Sequence, residues 1–302
     1  MKKQIPVLLD TDIGTDIDDS WALDMLLNCP ELDLKLVTCS TGDVVYRAKL
    51  AARFLESARR TDVVVGVGQP TEMKPTHRTQ LPWVENYDLG QYPGVVAQDG
   101  VGAMIATIMQ SPEPVTIIAI GPLTTVAAAL EREPRIAKNA RFVGMHGSLR
   151  WSPDDKKDYA AIPEYNVVHD VRASQKVFTA PWPMTITPLD TCGRVRLTGA
   201  KYKAVAESRH PLARAVIENY KIWQQCGGWV KDADASSILF DCVAVYLAYA
   251  DDLLAMRRMK VKVTDDGFTR EDPAGREMNV AMEWKNMAAF EDLIVARLTE
   301  GK

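Results

Sequence analysis

The sequence predicts an α/β fold, an open and mainly parallel sheet flanked by helices, with a helical embellishment in the C-terminal third. Three observations carry that expectation. Short apolar, partly β-branched runs alternate with segments of helical periodicity as far as Thr187, which is the pattern of βαβ units. After Ala200 helical patterns take over and two extended runs follow late in the chain. Apolar residues make up 47% of the 302, ample for a large core.

Taken in order, Ile5–Leu9 reads as a buried strand, and from Ser20 the residues Trp21, Leu23, Leu26 and Leu27 keep a helical spacing. Further strands are expected at Leu34–Cys39, Val63–Val65, Val115–Ile120, Phe142–Met145 and Met184–Thr187. Helices are expected between them around Arg47–Ser57, Val101–Met109, Thr124–Leu130 and Val171–Phe178. Later, helical patterns cover Ala200–Gln225 and Ser236–Ala248, Met259–Val263 and Met278–Trp284 look extended, and a helix closes the chain near Ala288–Leu298. With no internal repeat, low-complexity tract or long linker, a single Rossmann-like domain over 1–302 is expected. Two long irregular segments break the pattern. Gln69–Gln98 contains His77, Trp83, Tyr87 and Tyr92, and Gly147–Tyr165 contains Trp151, Asp154, Asp155, Asp158 and Tyr159. Each follows a predicted strand, and loops of this length often serve as binding lids.

Composition excludes several classes. A formal charge of −4 without a basic stripe argues against a nucleic-acid binder. The start, MKKQIPVLLD, has too short an apolar run for a signal peptide, and no stretch approaches the length of a membrane span. The five cysteines, Cys29, Cys39, Cys192, Cys226 and Cys242, are odd in number and lack CxxC spacing. Free thiols in a reducing cytoplasm are expected.

The chemistry concentrates near the N-terminus, where Asp10, Asp12, Asp16, Asp18 and Asp19 lie on the loop leaving the first strand and entering the first helix. Open α/β sheets place their ligand sites there. Carboxylates this close repel one another, and a cation relieves them; an oxygen-only ligand set favours calcium or magnesium over zinc. Helix capping accounts for two of the five. An EF-hand loop starting at Asp10 would need glycine at Thr15 and glutamate at Trp21, and a strand precedes it, so that pattern fails. A haloacid dehalogenase-like phosphatase, with Asp10 as nucleophile, leaves Asp16, Asp18 and Asp19 without a use.

Asp10-Thr11-Asp12-Ile13-Gly14, followed by Asp18-Asp19 opening a helix with Ala22-Leu23, resembles the nucleoside hydrolase family of the inosine–uridine preferring type. Ile120-Gly121-Pro122-Leu123-Thr124 resembles that family's Gly-Pro-Leu-Thr turn, and Met145 with Pro163-Glu164-Tyr165-Asn166 its ribose-binding stretch. Asp241 stands where a late aspartate completes the metal shell, and Asn279–Trp284 with the following helix resembles the closing elements. The resemblance implies cleavage of the N-glycosidic bond of ribonucleosides by water activated on Ca2+. It implies metal ligands Asp12, Asp19, the Ile120 carbonyl and Asp241, with Asp12 also the base. By the same resemblance Asp18, Glu164 and Asn166 hold ribose hydroxyls, Asp10 braces the loop, and the enzyme is a homodimer or homotetramer.

The departures are informative. The aspartate pair is spaced two residues wider than is usual, so Thr15–Ile17 forms a longer turn. Many members carry His-Asp-Pro at the late aspartate, the histidine helping to protonate the leaving base; here the residues are Phe240-Asp241-Cys242. Asp43 and Asp158 replace asparagines that commonly touch ribose, and His146 takes a position often held by glycine. Candidates for the leaving-group end are His77 in the first lid and Trp223 and Trp229, which can stack on a base, with Tyr220 beside them. His169 and His210 read as structural or surface residues. The alternative function is a ribosyl- or carbohydrate-associated binding protein that keeps the pocket with little turnover.

Overall fold

The computed structural model describes residues 3–150 and 160–300. One ten-stranded sheet runs through them. Its strands are β1 (Ile5–Thr11), β2 (Leu32–Cys39), β3 (Val64–Val67), β4 (Val96–Ala97), β5 (Val115–Ala119), β6 (Ala140–Met145), β7 (Met184–Thr187), β8 (Leu254–Val263), β9 (Thr269–Glu271) and β10 (Arg276–Trp284). The spatial order is β4-β3-β2-β1-β5-β6-β7-β10-β8-β9. Pairing is parallel from β4 across to β10, and only β8 and β9 join antiparallel. The mainly parallel α/β sheet expected from the sequence is the observed one.

Chain order reverses beside β1, which has β2 on one flank and β5 on the other. The loops after β1 and β5 therefore diverge from a shared crevice at the carboxyl ends of the strands, the place where such sheets bind ligands. Alternation along β1 serves two cores. Val7 and Leu9 face one apolar layer while Leu8 faces the other, each fully buried.

The helices described are α1 (Asp18–Leu27), α2 (Val44–Ser57), α3 (Leu81–Val84), α4 (Gly100–Gln110), α5 (Thr124–Arg132), α6 (Ile136–Asn139), α7 (Tyr165–Val168), α8 (Val171–Thr179), α9 (Leu189–Cys192), α10 (Gly199–Ala206), α11 (Pro211–Gln225), α12 (Cys242–Leu247) and α13 (Met287–Glu300). Residues of α1, α2, α10, α11, α12 and α13 pack in the first layer, and residues of α4, α5, α6 and α8 in the second.

Three expectations are corrected. The helical pattern over Ala200–Gln225 is two helices, broken before Pro211, which opens α11 at its first turn where its missing N–H costs nothing. The helix expected over Ser236–Ala248 shrinks to Cys242–Leu247. Ser236 and Leu239 donate instead to the carbonyls of Leu197 and Val195 (2.9 and 2.8 Å), so this stretch pairs with another chain segment and is unavailable to a helix. The first long segment is not structureless: it holds short 3-10 turns at Pro75–His77 and Leu89–Gln91, α3 and the edge strand β4.

Candidate active site

Asp10, one residue before the end of β1, is completely buried, its carboxylate bound by the hydroxyls of Thr38 (2.5 Å) and Ser40 (2.8 Å) on and after β2. Burial raises its pKa to about 7 against those two hydrogen bonds. Its side chain is spent on tying β1 to β2, as a brace. Thr11 donates to Asp19 and accepts from the Ile13 amide (3.0 Å), which turns the chain after the strand.

Asp12, Asp18, Asp19 and Asp241 all face the crevice and are buried. Oxygens of Asp18, Asp19 and Asp241 lie within 4.8 Å of one another and form a group able to hold a metal ion. Asp12 lies beside it. Burial, then repulsion from neighbouring carboxylates (Asp16 and Asp12 on Asp18, Asp12 and Asp18 on Asp19, Asp18 and Asp19 on Asp241), drives Asp18, Asp19 and Asp241 well above the ordinary carboxylate range. Burial also raises Asp12, but Arg47 works against it. The family resemblance implied Asp18 for ribose and Asp12 for the metal; by distance Asp18 sits inside the tight group. Asp18 and Asp19 open α1, whose N-terminal amides offset part of the charge.

The carbonyl of Ile120, in the turn after β5, accepts from Asn166 Nδ2 at 3.1 Å, and the same amide donates to the Met145 carbonyl at 3.0 Å. Asn166 thus joins the turns after β5 and β6. Glu164 caps α7, accepting from the amides of Gly147 (2.9 Å), Asn166 (2.7 Å) and Val167 (3.3 Å). Burial lifts it to about 7 in spite of these bonds. Ile120, Met145, Glu164 and Asn166 all line the cavity.

That cavity has a volume of about 630 Å³. Its lining brings the carboxylates together with the aromatic side chains of Trp223, Trp229, Phe240 and the half-exposed Tyr165, and His77 joins them from the first long segment. Trp223 is buried against Tyr220 (centroids 5.7 Å, interplanar angle 18°), and Trp229 meets it edge-on at 6.0 Å. Asp43 does not line the cavity; it caps α2 through the Tyr46 amide (3.0 Å) and pairs with Arg78 at 2.6 Å. Asp158, with Trp151, Asp154, Asp155 and Tyr159, lies outside the described residues.

Sequence reasoning missed Arg47. Its buried guanidinium donates to the carbonyls of Asp12, Ile13 (2.9 Å) and Thr41 (2.8 Å) and lies 3.9 Å from the Asp12 carboxylate. The signal was a charge on an apolar helix face, one turn from Val44, Leu50 and Ala51. His146 was noticed without a role. It is fully buried against Phe142 and Phe178, with Nε2 at 3.1 Å from the Gly121 carbonyl, and burial depresses it to about 3. It is neutral at physiological pH, so Nε2 carries the proton and steadies the turn after β5.

The raised carboxylates set a pH dependence. In the unfolded chain Asp and Glu titrate near 4. A folded pKa near 7 for Asp10 and Glu164 means that the fold is favoured by their protonation. That contribution is complete below about pH 4 and is lost as pH rises through 7. Metal-free protein is therefore expected to melt at lower temperature at pH 8 than at pH 5.5, measured by calorimetry in chelator; an unchanged or higher melting temperature at pH 8 contradicts these environments.

The family model "Inosine-uridine preferring nucleoside hydrolase" matches residues 7–298. The chain is 30% identical over 231 residues to the pyrimidine-specific ribonucleoside hydrolase RihA of Salmonella arizonae, covering 71% of this chain and 70% of that protein. It is 32% identical over 235 residues to RihA of Enterobacter sp. strain 638, covering 71% and 69%. Among solved structures it resembles a plant nucleoside hydrolase (TM-score 0.79, 22% identity, 98% of this chain and 99% of that one). It also resembles an inosine–uridine preferring nucleoside hydrolase from Bacillus anthracis (TM-score 0.78, 20% identity, 98% and 100%). The chain belongs to the inosine–uridine preferring nucleoside hydrolase family. It is a hydrolase, of a family that cleaves the N-glycosidic bond of ribonucleosides. Among the described residues no helix is long and apolar enough to cross a membrane.

Proposed function

We propose that this chain hydrolyses ribonucleosides to free base and ribose with one calcium ion in the aspartate cluster. The observation that carries the reading is the cavity's lining: buried carboxylates and aromatic side chains share one cavity, in a volume that holds a nucleoside. The donors fit a hard cation. Asp18, Asp19 and Asp241 converge within 4.8 Å, all ligands are oxygen, and Arg47 is engaged chiefly with backbone carbonyls, leaving the group undercompensated. Asp12, Asp19, the Ile120 carbonyl and Asp241 would hold the ion, and Asp18, whose oxygen converges with those of Asp19 and Asp241, would adjoin it while reaching the sugar. When bound, it supplies a fixed positive charge that orients sugar hydroxyls and makes water more acidic.

The protein's own groups do the rest. Asp12 accepts the proton of the attacking water, its carboxylate positioned through the backbone that Arg47 grips. Asp18 holds a ribose hydroxyl on one side of the sugar, and Glu164 and Oδ1 of Asn166 hold hydroxyls on the other. As the bond to the base breaks, positive charge gathers on the sugar ring, and the clustered carboxylates stabilise it. The base departs against the aromatic side chains.

Protonation of that base does not come from Phe240, which has no proton to give. Stacking on tryptophan raises the basicity of a bound purine, so solvent suffices. His77→Ala is expected to keep kcat on inosine within about threefold, because a true general acid is worth about 10²–10⁴. A loss of 10² or more in steady-state assays assigns the proton to His77 instead. No lysine or arginine is among the described cavity-lining residues, which favours nucleosides over nucleotides. The test is a panel of nucleosides and their 5′-monophosphates followed by base release. Turnover of nucleosides alone supports the reading, and turnover of neither overturns it.

A further inference from the structure

The longer turn Thr15–Ile17 carries a carboxylate that the reaction above does not use. Asp16 lines the cavity together with the aspartate cluster and the aromatic side chains. Its turn is fixed from three sides. The Thr15 carbonyl accepts from Thr79 Oγ1 (2.6 Å) and Trp223 Nε1 (3.2 Å), and the Asp16 carbonyl accepts from Gln80 Nε2 (2.7 Å). Gln80 is itself held by Asn219 at 2.7 Å. The carboxylate so placed accepts from the Ile17 amide through Oδ1 (2.8 Å) and from Trp229 Nε1 through Oδ2 (3.3 Å).

Trp229 is 52% exposed, so burial alone does not fix its ring. It reaches the cavity because Gly227 turns at φ +124° and Gly228 passes so close to the Trp223 ring that a Cβ there would lie 2.5 Å from Cε3. The chain is folded back over one tryptophan to present the next. The hydrogen bond to Asp16 is the polar anchor of that second ring.

We propose that Asp16 is a positioning residue for base binding: its carboxylate fixes the Trp229 indole as the outer wall of the base end, so that the longer turn selects for a planar aromatic leaving group. The proposal rests on the nucleoside reading of this cavity. It acts through ring placement and leaves the sugar end untouched.

The experiment measures KM and kcat on inosine for calcium-loaded wild type, Asp16→Ala, Asp16→Asn, Trp229→Phe and the double variant Asp16→Ala/Trp229→Phe. Calorimetric titrations with hypoxanthine and with ribose accompany them. Trp229→Phe keeps a ring and removes the N–H. Each of Asp16→Ala and Trp229→Phe is expected to raise KM and the hypoxanthine Kd about tenfold, with kcat falling less than threefold and ribose affinity unchanged. The double variant is expected to be no worse than either single one, because both remove the same bond, and Asp16→Asn, which keeps an acceptor, to recover most of the loss. Multiplying losses in the double variant, wild-type hypoxanthine affinity in Trp229→Phe, or loss of ribose affinity in Asp16→Ala each overturns it. The two readings fail separately: a wild type that turns over no nucleoside sinks the hydrolase reading, while the hypoxanthine titrations still decide the anchor, and absence of wild-type hypoxanthine binding sinks the anchor.

Discussion

Asp12→Asn is expected to lower kcat on inosine about 10³-fold while the protein stays folded. The substitution keeps the side chain's shape and removes both its charge and its capacity to take a proton, and a positioned general base is worth about 10²–10⁴. Loss of a proposed metal ligand would add to this. Folding is spared because Asp12 bonds the rest of the protein mainly through its backbone carbonyl, which Arg47 holds in either variant. Asp33→Asn is the control: that residue lies on β2, half-buried, paired with Lys35 at 2.6 Å and remote from the cavity lining. Steady-state rates with matched melting curves check the prediction. Equal turnover in wild type and Asp12→Asn would sink the proposed mechanism.

The second large effect has an unusual sign. Asp241→Asn is expected to raise the melting temperature of metal-free protein at pH 8 and to abolish its response to calcium. Asp241 is fully buried beside Asp18 and Asp19, and their charges add to the burial that disfavours its ionised form. Asparagine relieves that repulsion without a change in volume. If the cluster of the wild type holds calcium as proposed, calcium at about 100 times its Kd would stabilise the fold by about 2.7 kcal/mol. For a chain of this size that is a shift of about 4 °C. Calorimetric melts of both proteins, with chelator and with calcium, read the two effects together. A metal-free variant less stable than metal-free wild type would mean that Asp241 contributes through hydrogen bonding and not as a member of a repelling cluster.

The parallel sheet was legible because its central strands carry short, mostly apolar and buried runs, such as Val7–Leu9 in β1 and Ile117–Ala119 in β5. Edge elements were not. β4 has two residues and β9 three, too few for any periodicity, and their pairing is decided by neighbours distant in sequence. The aspartate cluster was legible by density alone, and it does line the crevice together with Ile120, Met145, Glu164, Asn166 and Asp241 from four other places in the chain. What a sequence does not reveal is which polar group is already spoken for. Asp43 looks like a sugar ligand until Arg78 and the Tyr46 amide are seen to occupy it. Arg47 looks like one charge among many on a helix, yet it is buried under the site, holding three backbone carbonyls. The longer turn was visible as a two-residue spacing, but its bonds to Thr79, Gln80 and Trp223 come from segments far along the chain.

The central claim joins the carboxylate cluster to the cleavage of the N-glycosidic bond. It is tested most directly by stripping the protein of metal and titrating calcium back while ribose release from inosine and the melting temperature are followed in the same samples. No turnover is expected in chelator, with recovery that saturates at one calcium per chain and a melting temperature that rises over the same calcium range. Full turnover in metal-free protein, or recovery uncoupled from the melting transition, would contradict it.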